Sequence, residues 1–222
     1  MSWPSSLIVV RHAESEGNVL SIEDQAHYPK ADWRYDLTPR GVRQARITGR
    51  YLRVLCPSPD VVLSSHCLRA KQTAELCYPD AEIVEDPRLA EITFGIGHVL
   101  TWDEVFARYP EEKEHRERMG PYQYRPSGGE NGPDLELRIH SFIETVKADW
   151  RDRTVAVFTH HHWILHHRRI AERLTVDDLV KSYDCEQFAN ASVTTYEPRA
   201  DTAGNVRLRA TETNLVPWDG QV

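Results

Sequence analysis

The sequence lacks the features of a membrane or exported protein. No apolar run in its 222 residues approaches the roughly 20 residues that a helix needs to cross a bilayer. The first residues, Met1 to Pro4, place no basic group ahead of an apolar segment, so the N-terminus does not resemble a signal peptide. We therefore expect neither membrane association nor secretion.

Cysteine is scarce, and basic charge is not in excess. None of the four cysteines lies in a Cys-x-x-Cys pair, which favours reduced thiols; they are Cys56, Cys67, Cys77 and Cys185. The formal net charge is −7 and the isoelectric point is near 5.9, whereas a general nucleic-acid binder is usually basic. We expect a cytoplasmic protein that does not bind nucleic acid.

The composition that is present is that of a globular domain. Hydrophobic residues make up 40% of the chain and aromatic residues 9%, which is sufficient for a core and argues against disorder. A chain of this length buries roughly 70–75% of its unfolded surface and needs no disulfide or metal to hold its core. We expect one domain over residues 1–222, with an insertion at residues 98–132.

Four short apolar runs predict a mainly parallel sheet. These runs are Leu7–Val10, Val61–Leu63, Glu82–Val84 and Thr154–Phe158. Helical patterns separate them along the chain, and this alternation is typical of an α/β fold. Two later runs, 193–196 and 206–209, predict an antiparallel edge. The sequence therefore indicates a three-layer α/β sandwich.

Helix signals fill most of the intervening chain. Thr38 is a predicted N-cap, with Pro39 at the first helical position of a helix that ends near Cys56. Further helices are predicted at 69–77, at 134–150, after the fourth strand as far as residue 170, and in the charged part of the insertion, 102–119. The polar stretch 17–35 is predicted to be a loop.

Polar residues follow three of the predicted strands. Arg11 and His12 follow the first, Arg69 lies in the segment after the second, and His160 follows the fourth. Ligands of open α/β sheets bind at the carboxyl ends of the strands, so we expect these side chains to meet. Two guanidinium groups there predict a phosphate ligand, because their forks match phosphate oxygens. A histidine beside them can attack phosphorus or act as an acid or base.

Six ordered sequence blocks resemble the histidine phosphatase superfamily, the phosphoglycerate mutase-like proteins. Residues 10–18 (VRHAESEGN) resemble its Arg-His-Gly signature. The other blocks are 36–45 (DLTPRGVRQA), 64–74 (SSHCLRAKQTA), 89–95 (LAEITFG), 128–138 (GGENGPDLELR) and 157–160 (VFTH). The resemblance covers about residues 6–165 in the family's order, and six ordered blocks are more specific than any one of them.

The resemblance implies a role for each matched residue. His12 is implied as the nucleophile that accepts the phosphoryl group. Arg11, Arg69 and His160 are implied to surround the transferring oxygens. Glu91 is implied as the general acid that protonates the leaving oxygen and then as the base that activates water.

The resemblance also implies neutral contacts and the absence of a cofactor. Ser15 and Asn18 are implied to contact the phosphate or the substrate. No metal is implied, because cationic side chains balance the phosphate charge. Two positions depart from the family pattern. Ala13 replaces the Gly that follows the first His, and His161 replaces the Gly that follows the second, so His161 competes with His160 for its role.

Several neighbouring residues have simpler interpretations. The histidines at 160–162 and 166–167 could hold zinc, with His162 and His166 on one helical face. Glu14 could equally be a solvated charge in the first turn after the motif, and Cys67 is interpreted as a small apolar filler.

Three functions fit these observations. The first is a metal-independent phosphatase that forms a phosphohistidine and binds a small phosphorylated substrate, with phosphate or another oxyanion as ligand. The second is a phosphate mutase, but the family's mutases carry Arg-His-Tyr-Gly after the acid, where this chain has ITFG at 92–95. The third is a catalytically silent phosphate-binding module, although no catalytic residue of the pattern is missing.

The substrate itself is not indicated by the sequence. The insertion 98–132 is expected to lie over the active site as a lid or a substrate-specificity region. Its segment Tyr122–Arg125 combines aromatic and cationic groups that could contact a ring or a second anionic group. We expect hydrolysis, and we leave the physiological substrate and the oligomeric state open.

Overall fold

The structure is a computed structural model that describes residues 3–222. Met1 and Ser2 belong to the N-terminal segment that does not resemble a signal peptide, and they lie outside the described residues. The strands are β1 (Ser6–Arg11), β2 (Val61–Ser64), β3 (Ile83–Glu85), β4 (Thr154–Thr159), β5 (Val193–Ala200) and β6 (Val206–Leu215). Each predicted strand is present, and most extend one or more residues beyond the apolar run that predicted them.

Nine α-helices are present within residues 3–222. They are α1 (Glu16–Val19), α2 (Ile22–Ala26), α3 (Pro39–Leu55), α4 (Leu68–Cys77), α5 (Trp102–Arg108), α6 (Pro110–Gln123), α7 (Gly132–Asp149), α8 (His161–Glu172) and α9 (Val176–Cys185). In this part of the chain, no helix combines the length and apolar character needed to cross a membrane. The predicted cap of α3 is confirmed, since the Thr38 hydroxyl accepts a hydrogen bond from the Gly41 N–H at 3.0 Å.

The six strands form one mixed sheet in the order β3-β2-β4-β1-β5-β6. β2 pairs in parallel with β3 and β4, and β4 pairs in parallel with β1. β5 runs antiparallel to both of its neighbours, β1 and β6. The predicted mainly parallel sheet with an antiparallel edge is therefore confirmed.

Helices cover both faces of the sheet, which gives three layers. Along β1, Leu7 and Val9 pack in the core shared with α7 and α8, which contains Phe142 and Trp163. Ile8 and Val10 alternate with them and pack in the opposite core. That second core also contains Leu52 of α3 and Ala74 and Cys77 of α4. The period-two alternation of β1 explains why every residue in its centre is apolar, because each one faces a layer of helices.

The prediction of a loop over residues 17–35 was wrong in part. It contains α1, α2 and a short 3₁₀ helix at Asp32–Arg34. Local capping explains these turns, since the Ser21 hydroxyl accepts from the Asp24 N–H and a box links Ser15 with Asn18. α9 was not predicted either.

The insertion is helical as predicted, but its helical part is longer. α6 continues to Gln123 across a break at Gly120, whose φ of 72° lies in the left-handed region that glycine tolerates. A narrow cleft of about 180 Å³ is lined by Trp102, Arg116 and Tyr124 from the insertion and by His162 from α8. The insertion therefore reaches the carboxyl end of β4, where α8 begins.

His167 is a fully buried histidine with neither ring nitrogen hydrogen-bonded. Its ring stacks on Trp163 with centroids 5.0 Å apart and meets the Tyr196 ring edge-on at 4.8 Å. Burial lowers the pKa of His167 to about 4. The folded protein therefore keeps this ring neutral at pH values where an unfolded chain would protonate it.

We predict that His167 makes the protein less stable in acid. Between pH 6.5 and 4 the unfolded chain binds a proton that the folded chain does not, so stability falls as the pH falls. His167→Phe keeps an aromatic ring and removes this proton. As the pH falls through that window, the free energy of unfolding should decrease less in the variant than in the wild type. The difference should be up to about 1.4 kcal/mol per pH unit. Urea unfolding at pH 5 and pH 7 measures the difference.

The control is His140→Gln, which removes an exposed histidine from α7. It should leave the pH dependence near that of the wild type, because an exposed ring is solvated in both the folded and unfolded chains. Identical pH slopes for His167→Phe and the wild type would contradict the assignment.

Candidate active site

The carboxyl ends of three adjacent strands form the site. β2, β4 and β1 are neighbours in the sheet, so the residues that follow them lie side by side. His12 follows β1, Ser65 follows β2 and His160 follows β4. The His12 and His160 rings lie with centroids 5.1 Å apart and an interplanar angle of 55°. The geometry thus brings together the two histidines that follow separate strands in the sequence.

His12 is held in one tautomer. Its Nδ1 lies 2.8 Å from the carbonyl oxygen of Ala13. A carbonyl can only accept a hydrogen bond, so Nδ1 carries the hydrogen and Nε2 carries the lone pair. The side chain is nearly buried, and the next peptide N–H, that of Ala13, donates to the Thr73 hydroxyl at 3.0 Å. This arrangement fixes the ring and leaves the Nε2 lone pair unprotonated.

The surroundings of His12 keep it neutral. Burial is the main cause that lowers the pKa of His12 well below its ordinary value, and the nearby charge of Arg69 adds to the effect. His160 is affected in the same way, by burial first and then by Arg69. A neutral imidazole has the free lone pair that an attack on phosphorus requires.

His160 occupies the N-cap position of α8. Its backbone is extended, with φ −129° and ψ 170°, and the helix begins at the next residue. The His160 Nε2 lies 2.8 Å from the Ser65 hydroxyl, whereas its Nδ1 is buried without a hydrogen-bond partner. His161 points elsewhere and contacts Phe188 and His162. The replacement of the family's Gly by His161 therefore leaves the helix start intact and leaves His160 as the histidine beside His12.

Two arginines supply positive charge at the site. Arg11 donates to the Phe188 carbonyl, and its Nε is buried without a partner. Burial lowers the pKa of Arg11 to about 10, so the group remains charged at neutral pH. Arg69 is also buried, and its guanidinium contacts Asp32 through the main-chain carbonyl at 2.7 Å and the carboxylate at 3.2 Å. Both side chains are therefore oriented by acceptors at one edge of the guanidinium.

The carboxylate of Glu91 lies beside the first turn of α8. Its Oε1 accepts from the Ile92 N–H at 3.0 Å, and its Oε2 accepts from the His162 N–H at 3.3 Å. The Nδ1 of His162 lies 3.3 Å from the same oxygen. Burial works to raise the pKa of Glu91, but the neighbouring histidines, His162 first, outweigh burial and hold it well below its ordinary value. The carboxylate is therefore ionised and faces the cationic site.

Ser15 and Asn18 are bonded to each other. The Ser15 hydroxyl donates to the Asn18 Oδ1 at 3.1 Å, and Asn190 donates to the same oxygen at 3.1 Å. Asn190 also donates to the His12 carbonyl, which ties this pair to the strand end. The Asn18 side-chain oxygen is thus occupied, and its amide NH₂ is the group that can donate to a ligand.

Glu14 is a structural residue, so its interpretation as a solvated charge was wrong. It is buried, and its carboxylate accepts from the Thr38 hydroxyl at 2.7 Å and from Arg40 at 2.6 Å. These bonds join the loop after β1 to the first turn of α3. At that crossing, a side chain on Gly41 would lie 1.9 Å from the Glu14 carbonyl oxygen, so the close approach requires glycine.

Cys67 is buried at the N-cap of α4. Burial raises the pKa of its thiol, which disfavours the reactive thiolate. This agrees with its interpretation as a filler.

A cleft of about 400 Å³ opens beside Glu91. Its wall includes Tyr28, Lys30 and Trp33 from the segment before α3, together with His66 and Ile92. The smaller cleft under the insertion shares Ile92 and adds His162. Glu91 and His162 thus stand between the two clefts.

The histidine cluster is divided among separate contacts. Within residues 3–222, no group of three or more His, Cys, Asp or Glu side chains is arranged to hold a metal ion. His162 faces Glu91, whereas His166 bonds to Glu136 at 3.1 Å and to the Tyr183 hydroxyl at 2.9 Å. The pair that the sequence placed on one helical face therefore serves two different carboxylates.

Three residues of the site were missed by sequence reasoning. Asp32 contacts Arg69, Ser65 contacts His160, and His162 contacts Glu91. Ser65 lies within the block that follows β2 and could have been found there. Asp32 and His162 carry no signal in a single sequence, because their contacts depend on how a loop and a helix start pack against distant elements.

A profile of the histidine phosphatase superfamily (branch 1) matches residues 7–211. The chain belongs to this superfamily. A 2,3-bisphosphoglycerate-dependent phosphoglycerate mutase from Methylobacterium radiotolerans is 34% identical over 139 residues, which are 60% of this chain and 62% of the mutase. Phosphoserine phosphatase 1 from Hydrogenobacter thermophilus is 31% identical over 159 residues, which are 69% of this chain and 70% of that protein.

Solved structures that match nearly the full length of this chain share its fold. A mycobacterial glucosyl-3-phosphoglycerate phosphatase superposes with a TM-score of 0.71 at 23% identity, covering 95% of this chain and 99% of that one. A phosphoserine phosphatase from Entamoeba histolytica gives 0.70 at 21% identity, covering 94% and 96%. At this level of identity the likeness establishes the fold.

We predict that Asp32 weakens oxyanion binding by partly neutralising Arg69. Asp32→Asn keeps an oxygen that can accept from the guanidinium but removes the negative charge. Vanadate and phosphate should therefore bind about two- to fivefold more tightly at low salt, the scale of one partly solvated ion pair. The gain should shrink at high salt, because the carboxylate is partly exposed and its field is screened. Titration calorimetry at two salt concentrations measures both effects.

Glu23→Gln is the matched control. It removes an equal charge from the exposed surface of α2 in the same segment of chain and should leave vanadate affinity unchanged. Weaker binding by Asp32→Asn than by the wild type would show that the carboxylate acts mainly by orienting Arg69.

Proposed function

We propose that this protein is a metal-independent phosphatase that hydrolyses a small phosphorylated substrate through a phosphohistidine on His12. The observation that carries the proposal is the fixed tautomer of His12. Its Nδ1–H is committed to the Ala13 carbonyl, so the Nε2 lone pair faces a site that contains Arg11 and Arg69. A neutral, oriented imidazole among buried cations suits nucleophilic attack on a phosphate dianion.

The first step forms the bond between His12 Nε2 and phosphorus. The bond from phosphorus to the leaving oxygen breaks, and the leaving oxygen takes a proton from Glu91. Arg11, Arg69 and His160 hold the remaining phosphoryl oxygens, so that positioning and charge stabilisation supply most of the catalysis. Asn18 adds a neutral donor through its amide, and Ser15 holds Asn18 in place.

The second step returns the enzyme to its starting form. Water attacks phosphorus as the bond to Nε2 breaks, and Glu91 takes one proton from that water. Phosphate leaves with its charge still balanced by the two arginines. The mycobacterial glucosyl-3-phosphoglycerate phosphatase of the same fold has been solved with vanadate and with phosphate, and this supports an oxyanion ligand at the corresponding site.

The ion pairs of the lysine in the larger cleft favour hydrolysis over the mutase reaction of several relatives. A phosphoglycerate mutase must hold a second anionic group of its substrate. The lysine of the larger cleft, Lys30, is already paired with Glu16 at 2.8 Å and with Asp36 at 2.9 Å. Ile92 and Phe94, which follow the acid, contribute apolar surface to the adjoining cleft. Water is therefore proposed as the phosphate acceptor.

The insertion 98–132 is proposed as the substrate-specificity region of a single domain. Trp102 stacks on Phe106, and Arg116 lies over the Trp102 ring at 4.8 Å. Trp102 and Arg116 line the small cleft next to His162, so they are placed to contact the leaving group rather than the phosphate. A panel of phosphorylated metabolites scored by phosphate release would identify the class of substrate.

We predict that the wild type carries a covalent phosphate during turnover and that His12→Ala does not. Rapid quench with a ³²P-labelled substrate should give protein-bound label that is labile in acid and stable in alkali, as expected for a phosphohistidine. His12→Ala should lose several orders of magnitude in turnover, the scale seen when other covalent nucleophiles are removed. His167→Phe, which changes a histidine far from phosphorus, serves as the control and should still be labelled.

Three other outcomes would change the proposal. Equal labelling of His12→Ala and the wild type would move the nucleophile to His160 or His161. Transfer of the label to an added monophosphoglycerate in preference to water would assign the protein as a mutase. Binding of vanadate with neither covalent label nor phosphate release from any substrate would assign a silent phosphate-binding module.

We predict that phosphatase activity survives metal chelation. Arg11 and Arg69 balance the phosphate charge, and the acidic side chain at the site, Glu91, is engaged by His162. Dialysis against EDTA followed by assay with 4-nitrophenyl phosphate tests this, with a parallel sample repleted with Mg²⁺ or Zn²⁺ as the control. Loss of activity that one metal restores would revive a metal site among the histidines of α8.

A further inference from the structure

His162 lies in the first turn of α8 and contacts Glu91 twice. Its main-chain N–H donates to Glu91 Oε2, and its ring Nδ1 lies 3.3 Å from the same oxygen. The N–H is one of those that a helix start leaves free, so the carboxylate sits at the positive end of α8. The His162 side chain is 31% exposed and the Glu91 side chain 18% exposed. The pair therefore reaches solvent on the His162 side.

The chemistry proposed for Glu91 needs a proton that its surroundings disfavour. A general acid must be protonated when the substrate is bound. The neighbouring histidines, His162 first, instead favour the ionised carboxylate, and they hold the pKa of Glu91 well below its ordinary value although burial works to raise it. Glu91 therefore holds the acid form in few molecules at neutral pH.

The other histidines near Glu91 are unsuited to supply this proton. His160 is buried, is bonded to Ser65, and has a pKa well below its ordinary value. The pKa of His161 is lowered to about 4, mainly by burial. Within residues 3–222, His162 is the histidine that combines contact with Glu91 and contact with solvent.

We propose that His162 is the proton partner of Glu91: it stores the proton that Glu91 delivers to the leaving group and recovers it when water is activated. The inference rests on the proposed function. In the resting pair the imidazole of His162 carries the proton and Glu91 is a carboxylate. Binding of a phosphate dianion next to Glu91 favours transfer of that proton from Nδ1 to Oε2.

The protons balance over both steps. When His12 attacks phosphorus, the proton on Oε2 passes to the leaving oxygen, so that Glu91 is ionised and His162 is neutral. When water attacks the phosphohistidine, Glu91 accepts a proton from the water and returns it to Nδ1 of His162. The pair ends with one proton, as it began, and no further acid or base is consumed.

The groups packed around His162 fix its ring. Phe94 meets the ring edge-on at 5.6 Å and Tyr183 of α9 at 6.1 Å. Aromatic neighbours tolerate an imidazolium better than an aliphatic wall does. His161 and His166 lie on the same helix, and the lining of the small cleft adds Arg116 and Glu130. The Nδ1 atom is buried and makes no hydrogen bond in this structure, and among these charged groups Glu91 lies within ion-pair distance of it, so a small rotation of the ring aligns Nδ1 with Oε2 for proton transfer.

The role predicts a specific dependence on the leaving group. His162→Gln keeps the main-chain N–H on Glu91 but cannot store a proton. Formation of the phosphohistidine should slow by at least about tenfold with phenyl phosphate, a part of the roughly 10²–10⁴-fold that general acid catalysis contributes. With 4-nitrophenyl phosphate, whose leaving oxygen needs no proton, the rate should change little. A merely structural role would slow both substrates equally.

The pH profile and a double variant give two further readouts. Because His162→Gln removes the group that we propose to store the proton, the alkaline limb of kcat/KM for phenyl phosphate should move to lower pH in that variant. Glu91→Gln combined with His162→Gln should be no slower than Glu91→Gln alone, since His162 acts through Glu91. His140→Gln removes an exposed histidine of α7, outside both clefts, and is the control expected to match the wild type.

The outcomes separate the two proposals. Labelling of the wild type on His12, with identical leaving-group slopes for wild type and His162→Gln, overturns the proton partnership and leaves the phosphatase intact. Absence of any label on the wild type overturns both. Vanadate affinity verifies that the variant sites are folded. Should His162→Gln fail to bind vanadate, His162→Asn provides the same test with a shorter side chain, and equal slopes there overturn the partnership as well.

Discussion

The structure depends on burying two guanidinium groups near the end of β1 without using all of their hydrogen-bond donors on protein acceptors. Arg11 is oriented by the Phe188 carbonyl, and Arg69 by Asp32. A buried cation is costly unless acceptors compensate it, yet full compensation would leave nothing for a phosphate ligand. The segment that follows α9 meets part of this demand, since Phe188 holds Arg11 and Asn190 holds the His12 carbonyl. The C-terminal third of the chain thus supports residues at its beginning.

The neutral histidines follow from the same constraint. Positive charge from the arginines, added to burial, disfavours protonation of His12 and His160, and each ring is then oriented by a neutral acceptor or hydroxyl. Glu91 is the opposite case, since the neighbouring histidines, His162 first, hold its pKa well below the ordinary value although burial works to raise it. The site therefore keeps two neutral histidines beside an ionised carboxylate. The Nδ1 of His162 lies 3.3 Å from that carboxylate, which makes His162 the group placed to exchange a proton with Glu91 in the mechanism that we propose.

The sheet and the centre of the site were predictable because both depend on local signals. β-Branched runs marked the four parallel strands, of which β1, β2 and β4 are buried, and Arg11, His12 and His160 lie at the ends of two of them. α9 and the short helices before α3 were missed, since their sequences are polar and their ends are set by caps such as Thr175 with Asp178. The partners of the predicted residues were also missed. Each of them lies on a separate element and meets its residue through tertiary packing, which a single sequence does not encode as a pattern.

The replacement of glycine by histidine after His160 shows how a departure from a family pattern can be absorbed. Glycine is needed at a helix start only where φ is positive or a backbone approaches closely. Here the N-cap, His160, is in an extended conformation, and α8 begins normally at His161. The side chains at 161 and 162 therefore project from the first turn in different directions. His161 contacts Phe188, whereas His162 contacts Glu91 and lines the small cleft under the insertion. A residue one step beyond the replaced glycine thus stands between Glu91 and that cleft, so variation at this turn can change the surroundings of Glu91 while the ends of β1 and β4 stay as they are.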